Sequence, residues 1–368
     1  MTQFKGYFSS LQGTSYEIGR QQGRFVKAWS HLLPATVSAR DTPAQRMSET
    51  TKLLDTFCPG IREEIAGFCD ELEVPVSRIN YYAGTYIEAG CSHCAVLPGK
   101  TSDNRTYVLR NYDLSPQLDD MRLCSTSVTG RYAHTGFSVC LFGRSEGMNE
   151  HGLCVTFSAC GMPVGDAPGM RKAGARGLQF WAVVRSLLEQ CRNVEQAVVL
   201  IRDMPIASNM NVIVAEPSGK AALIETFDGK KAIVATDGHD GLPYVTATNH
   251  PIVPDIESAE SRKLLHSVVR RELMEQLLTG GDVITKEQLK SLVKSEYPHG
   301  LTVHNFNQMF GTLRSLLFDL NDRKVDVCFG SPLQNEWHTI QVGGTLPFEE
   351  TDVYMNHRDY TPDFWAIV

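Results

Sequence analysis

Between residues 88 and 116 the chain reads EAGCSHCAVLPGKTSDNRTYVLRNYDLSP. Cys91 follows Gly90 at the start of a short apolar run of strand type, and Arg110, Asn111 and Asp113 close a second such run. The turn-rich GKTSDN between them predicts a hairpin with a longer loop, which would return Arg110 and Asp113 beside Cys91. A thiol would then sit next to a guanidinium and a carboxylate, with no histidine. A thiol of ordinary pKa, about 8.5, needs a base or a positive neighbour to attack well. Cutting the Gly90–Cys91 bond would supply a base, because Cys91 would gain an α-amine with a pKa of about 7.7–8.0. Arg110 could stabilise the thiolate and Asp113 could orient the new ammonium. Glycine before the cut tolerates the strained backbone that self-cleavage requires. These residues point to an activated thiol nucleophile.

Other readings compete for the same residues. Cys91 and Cys94 form a CxxC, half of a zinc site or a redox pair. A structural zinc site needs a second pair at matching spacing, and none of the other eight cysteines supplies one. Redox CxxC pairs open helices, whereas apolar strand residues follow here, so no metal is expected. Cys94 reads as a strand residue and is the fallback nucleophile. His93 shares a face with Cys91, but side chains two apart on one strand run parallel. His250 and His304 could serve as bases, although no local protease signature surrounds either. Cys140 in FSVCLF and Cys154 in GLCVTF read as small buried hydrophobes.

The elements that must position these groups form an ordered series. Residues 1–90 read as mainly helical: SYEIGRQQGRFVKAWSHLL, AQRMSETTKLLDTF and IREEIAGFCDELEV all carry helical spacing. The hairpin follows, then strand-like GFSVCLFG and GLCVTFSA around a turn-like GMNEHG. RGLQFWAVVRSLLEQC and NVEQAVVLIRDM read as a helix pair. MNVIVAE, KAALIET and KKAIVAT form a meander, and SRKLLHSVVRRELMEQLL and TKEQLKSLVKS are amphipathic helices. TLRSLLFDL, KVDVCFG and EWHTIQV return to strand. Clustered strands and clustered helices predict an α+β fold, two antiparallel sheets covered by helix layers, over a parallel Rossmann sheet.

Gly90-Cys91-Ser92 followed by Arg110-Asn111-Tyr112-Asp113 resembles the opening of the isopenicillin N acyltransferase family, and is similar to that of the related choloylglycine hydrolases. GMNEHGL, SNMNVIVAEPSGKAALIE, Thr248-Asn249-His250-Pro251, Ser261-Arg262 and the early GTSYEIGRQQGR resemble further segments of these families, in the same order. The resemblance implies an N-terminal-nucleophile hydrolase with an αββα four-layer sandwich and a helical N-terminal segment. It implies Cys91 as nucleophile and base, Arg110 and Asp113 as its tuners, Asn249 as oxyanion donor, and Arg262 as a support of the site. It also implies that residues 1–90 form a pro-segment or subunit cut at Gly90–Cys91 and retained by the catalytic core, residues 91–368. Bile-salt hydrolases carry a second site asparagine after the GMNEKGL segment. CVTFSAC here has none, so a backbone N–H is expected in its place.

Bulk properties narrow the partners. The chain has 368 residues, 42% hydrophobic and 21% charged, with net charge −7, which is globular and argues against nucleic-acid binding. No apolar stretch reaches the roughly 18 residues of a membrane span. The N-terminus lacks a signal-type apolar region, so a cytoplasmic enzyme is expected, acting on a small-molecule amide without a cofactor. Self-association stays open. So do four functional readings: amide hydrolysis, acyl transfer to an amine, a non-catalytic CxxC protein, and an unprocessed, inactive relative acting as a binding protein.

Overall fold

The computed structural model describes residues 2–83, 90–164, 170–172, 174–238 and 241–368. Sixteen strands are present among them: β1 (Thr2–Gly13), β2 (Gly90–Val96), β3 (Tyr107–Leu114), β4 (Arg122–Val128), β5 (His134–Val139), β6 (Gly143–Asn149), β7 (Cys154–Ala159), β8 (Met210–Ala215), β9 (Ala221–Phe227), β10 (Lys230–Thr236), β11 (Tyr244–Ala247), β12 (His304–Asn305), β13 (Phe310–Asp319), β14 (Lys324–Phe329), β15 (His338–Gln341) and β16 (Glu350–Met355). The helices are α1 (Ser15–Ala28), the short α2 (Leu33–Thr36), α3 (Ala44–Phe57), α4 (Ile61–Leu72), the short α5 (Asn80–Ala83), α6 (Phe180–Gln190), α7 (Val194–Asp203), the short α8 (Pro254–Glu257), α9 (Leu265–Thr279) and α10 (Lys286–Val293).

One sheet runs β10-β9-β8-β7-β6-β5-β4-β1-β16 and the other β11-β2-β3-β13-β14-β15, with β12 added on β13. Every pairing is antiparallel except β1 with β4. The sheets face each other. α6 and α7 cover the outer face of the nine-stranded sheet, and α9 and α10 cover that of the seven-stranded sheet. The expected αββα order is the observed one. None of the described helices is long and apolar enough to cross a membrane.

The first 90 residues differ from expectation at their start. Residues 2–13 form a strand, hydrogen-bonded between β4 and β16. TQFKGYFSSLQG alternates weakly and carries two serines and two glutamines, so its strand character comes from its neighbours rather than its own pattern. α1 follows behind a capping box, in which Thr14 and Glu17 bond each other's backbone N–H, worth about 1 kcal/mol. α1 crosses α4 at glycines. A Cβ on Gly19 would lie 1.8 Å from the Glu64 carbonyl oxygen, and one on Gly67 would lie 2.1 Å from that of Tyr16.

This helix pair joins the layer over the nine-stranded sheet through a buried polar network. Gln22 donates to Glu64 at 2.5 Å, Arg122 donates to Gln22 at 2.7 Å, and Arg185 of α6 pairs with Glu64 at 2.5 Å. β6 also differs from expectation. Part of the turn-like GMNEHG is strand, and the turn begins only at Glu150. Asn149 serves that turn, accepting from His151 and Leu153 and donating to the carbonyls of Leu188 and Cys191 at the end of α6.

Candidate active site

The predicted hairpin forms, with Gly90 opposite Asp113, Cys91 opposite Tyr112, Ser92 opposite Asn111 and His93 opposite Arg110. Side chains alternate faces along a strand, and directly opposed residues share one. Cys91, His93, Arg110 and Tyr112 therefore point between the sheets, while Ser92, Cys94, Asn111 and Asp113 point toward α9 and α10.

On the inter-sheet face the Cys91 thiol is fully buried, and Arg110 Nη2 lies 3.2 Å from its Sγ. Burial pushes the thiol up to about 12; Arg110 opposes that shift, and Asp113 and Glu146 add to it. Arg110 is itself held from the facing sheet. It donates to the Phe157 carbonyl and forms an ion pair with Glu146 at 2.7 Å. Its guanidinium lies over the rings of Tyr112 and Phe157.

On the helix face Asp113 accepts from Thr312 at 2.7 Å and from Arg270 at 3.2 Å. Burial pushes its carboxyl up to about 6, against the lowering effects of Arg270, Thr312 and Arg110. The sequence places Arg110 and Asp113 together beside the thiol. In the fold the Arg110 guanidinium and the Asp113 backbone N–H reach the sulfur but the Asp113 carboxylate does not, because positions 110 and 113 differ by an odd number and the strand turns their side chains to opposite faces.

Asn249 follows β11 and joins the two faces. Its Oδ1 accepts from the Cys91 backbone N–H at 3.1 Å and from Arg270 at 2.7 Å, so its Nδ2 is directed away, onto the Ala159 carbonyl at 3.2 Å. Two donors on one oxygen fix which way the amide points. Its own N–H donates to Ser267 Oγ at 2.7 Å.

Arg270 is the residue that sequence reasoning did not select. Fully buried on α9, it bonds Ser92 at 2.7 Å, Asp113, Asn249, and His266 through both the ring and the carbonyl. A signal for it exists: His266, Arg270, Met274 and Leu278 recur every four residues on the buried stripe of α9, and an arginine on such a stripe must be partnered. Arg262, predicted instead, is half exposed, pairs with Glu260 at 2.8 Å, and is not brought into this cluster. It precedes α9, where no stripe forces its side chain inward.

Gly90 is extended backbone at the start of β2, paired with Asp113. What requires glycine is the Phe310 ring, 1.9 Å from where a Cβ would stand.

None of the histidines that could act as bases faces the thiol. His93 spends both ring nitrogens on Thr156 at 2.7 Å and Ser158 at 3.1 Å, and burial holds it well below the usual range. His250, bonded to Ser267 at 2.8 Å, is pushed down to about 3 by burial. His304 faces Glu296 at 3.4 Å. Cys94 packs in the apolar cluster under α9 and α10 with Val96, Leu109 and Met274. The two CxxC thiols leave opposite faces of one strand, so they cannot share an ion or a disulfide.

The sequence profile of the acyl-coenzyme A:6-aminopenicillanic acid acyl-transferase family matches residues 100–334. That is more than half of the chain, and the chain belongs to this family. The match includes Arg110, Asp113, Asn249 and Arg270 and begins nine residues after Cys91. Among solved structures, a mutant conjugated bile acid hydrolase from Clostridium perfringens is similar at 11% identity and a TM-score of 0.45, covering 72% of this chain and 97% of that one. Penicillin V acylase from Agrobacterium tumefaciens is similar at 18% identity and a TM-score of 0.39, covering 68% and 86%. No curated protein matches the chain.

Proposed function

We propose that this chain is a cysteine amidase that cuts itself at Gly90–Cys91 and then cleaves a linear amide through an acyl-enzyme on Cys91. The observation that carries the reading is the pair of contacts on one residue: Arg110 at 3.2 Å from the Cys91 sulfur, and Asn249 Oδ1 at 3.1 Å from the Cys91 nitrogen. In the intact chain that nitrogen is an amide and cannot act as a base, and the thiol is pushed up to about 12. Attack of Sγ on the Gly90 carbonyl would form a thioester and release the nitrogen as an amine. Water would then free residues 1–90 as a carboxylate. The new amine takes the thiol proton when a substrate amide arrives, and later returns it to the leaving amine. Asn249 Nδ2, which donates to the Ala159 carbonyl while the Cys91 N–H and Arg270 hold its Oδ1, would turn that donor to the tetrahedral oxyanion when substrate enters.

The N-terminal fragment stays attached after the cut, because β1 lies within the nine-stranded sheet and Glu64 pairs with Arg185. Acyl transfer to an amine is the second reading, favoured by the family to which the chain belongs. It predicts that an added amine acceptor diverts the acyl group from water.

Intact-mass spectrometry of denatured protein, wild type beside Cys91→Ala, tests the first step. Fragments 1–90 and 91–368 are expected from wild type alone, with both co-eluting under native conditions. A single full-length mass in wild type would end the self-processing reading.

A further inference from the structure

Behind Arg110 a line of buried charge crosses the sandwich. Arg110 pairs with Glu146 Oε2 at 2.7 Å, Glu146 Oε1 pairs with Arg314 at 2.7 Å, and Arg314 pairs with Asp119 at 2.9 Å. All four side chains are 0–1% exposed. Arg314 is clamped between the rings of Tyr112 at 3.8 Å and Phe137 at 4.2 Å, and also donates to Ser145. Signs alternate from the thiol outward: guanidinium, carboxylate, guanidinium, carboxylate. Burying four charges costs several kcal/mol each before pairing, and apolar packing of similar volume is often no less stable. Stability alone is therefore a poor reason for this line to end on the nucleophile.

Resting on the reading of Cys91 as nucleophile, we infer that Glu146 and Arg314 are positioning residues that set how far Arg110 favours the Cys91 thiolate. Glu146 draws part of the Arg110 charge away from sulfur. Arg314, by occupying the other carboxylate oxygen, limits that draw. The other titratable or charged groups facing this line are His93 on β2, Tyr112 and Asp113 on β3, Cys154 on β7, Asp120 before β4, and Arg270 on α9. His93 is held neutral by burial, and Tyr112 and Cys154 are pushed up by it. None of those three changes charge between pH 6 and 9. Asp113 is already titrating near its value of about 6 and affects all variants alike.

The two substitutions are expected to act in opposite directions. Glu146→Gln leaves an acceptor for either arginine while removing the negative charge, so the thiolate should form at lower pH. Arg314→Met removes the competing cation, so Glu146 should hold Arg110 more strongly and the thiolate should form at higher pH. Each shift should be on the order of one pH unit, the size of a charge acting at several ångströms through a moderately screening interior.

The experiment is the rate of Cys91 alkylation by iodoacetamide in the full, processed protein from pH 6 to 10, read by mass mapping of the peptide that begins at Cys91. A downward midpoint for Glu146→Gln with an upward one for Arg314→Met supports the inference. Midpoints that do not move, or that move together, overturn it, since general loosening of the fold would shift both the same way. Should Glu146→Gln prove insoluble, Arg314→Met decides alone, and an unmoved or lowered midpoint overturns the inference. A wild type with no reactive N-terminal Cys91 would instead sink the nucleophile reading itself.

Discussion

The two faces of the β2–β3 hairpin are built differently, although they share one backbone. Toward the facing sheet, Cys91 and Arg110 begin a line of alternating charges that continues through Glu146 and Arg314. Toward α9, Ser92, Asp113 and Asn249 converge on the single guanidinium of Arg270. The first face acts on the sulfur, through charge. The second acts on the main chain of Cys91, because Asn249 Oδ1 holds both the Cys91 N–H and Arg270. Under the proposed function, a residue that uses its sulfur as nucleophile and its nitrogen as base would be served by separate groups on opposite sides of the strand.

The sharpest way to break this division is Arg270→Gln. It removes the cation that bonds Asp113, Ser92 and Asn249 together, and loosens the hold on the Asn249 amide. Loss of one oriented oxyanion donor typically costs about 10²–10³ in rate, and a drop of at least that order is expected in self-cleavage followed by gel densitometry over time. Arg270→Lys should restore little, because an ammonium cannot span partners that a planar fork reaches. Wild-type cleavage in Arg270→Gln would show that the helix face is only a support for the fold.

A smaller effect separates the faces by pH. Burial holds Asp113 at about 6, above the usual value of about 3.9. Its ionised form is the one that pairs with Arg270, so the rate of self-cleavage should fall below pH 6 with a one-proton slope. Stability runs the other way. A carboxyl raised on folding contributes stability that is fully present below about pH 4 and lost as pH rises through 6, so this site gains activity over the window in which its stability contribution is lost. Asp113→Asn should cleave slowly and without that acid limb. A wild-type profile flat from pH 5 to 7 would mean that Asp113 does not control the step.

Much of this arrangement was legible in the residues themselves. The hairpin, the helix pair, the meander and the two amphipathic helices form where hydrophobic period and turn residues place them, and the αββα order follows from their clustering. What was not legible shares one physical cause: burial of polar residues by partners distant in sequence. β6 (GRSEGMN) is not marked by the sequence: Gly147-Met148-Asn149 reads as turn, and Arg144, Ser145 and Glu146 look solvated, yet all are buried. β1 takes its conformation from β4 and β16, more than a hundred residues away. The hairpin puts Asp113 near Cys91 as its spacing predicts, but the strand register turns its carboxylate to the other face. Ser261-Arg262 stands out as a motif, whereas Arg270 is marked only by its place on the buried stripe of α9.

That contrast sets the smallest expected effect. Arg262 is about half exposed and its partner is Glu260, two residues before it. Exposed ion pairs contribute little to stability, so Arg262→Ala should leave the melting temperature within a few degrees, and the self-cleavage rate within about threefold, of wild type. Glu260 also lies 3.7 Å from Arg171, and its Cγ stands 3.1 Å from where a Cβ on Gly161 would be; the Gly161 N–H bonds the Asn249 carbonyl. Arg262 is thus connected to Asn249 through Glu260 and Gly161, without touching the cluster. A loss in amide turnover with self-cleavage intact would give Arg262 a part in substrate binding on that side. A loss of self-cleavage as large as that of Arg270→Gln would mean that the two arginines act as one unit, and that the helix face reaches beyond α9.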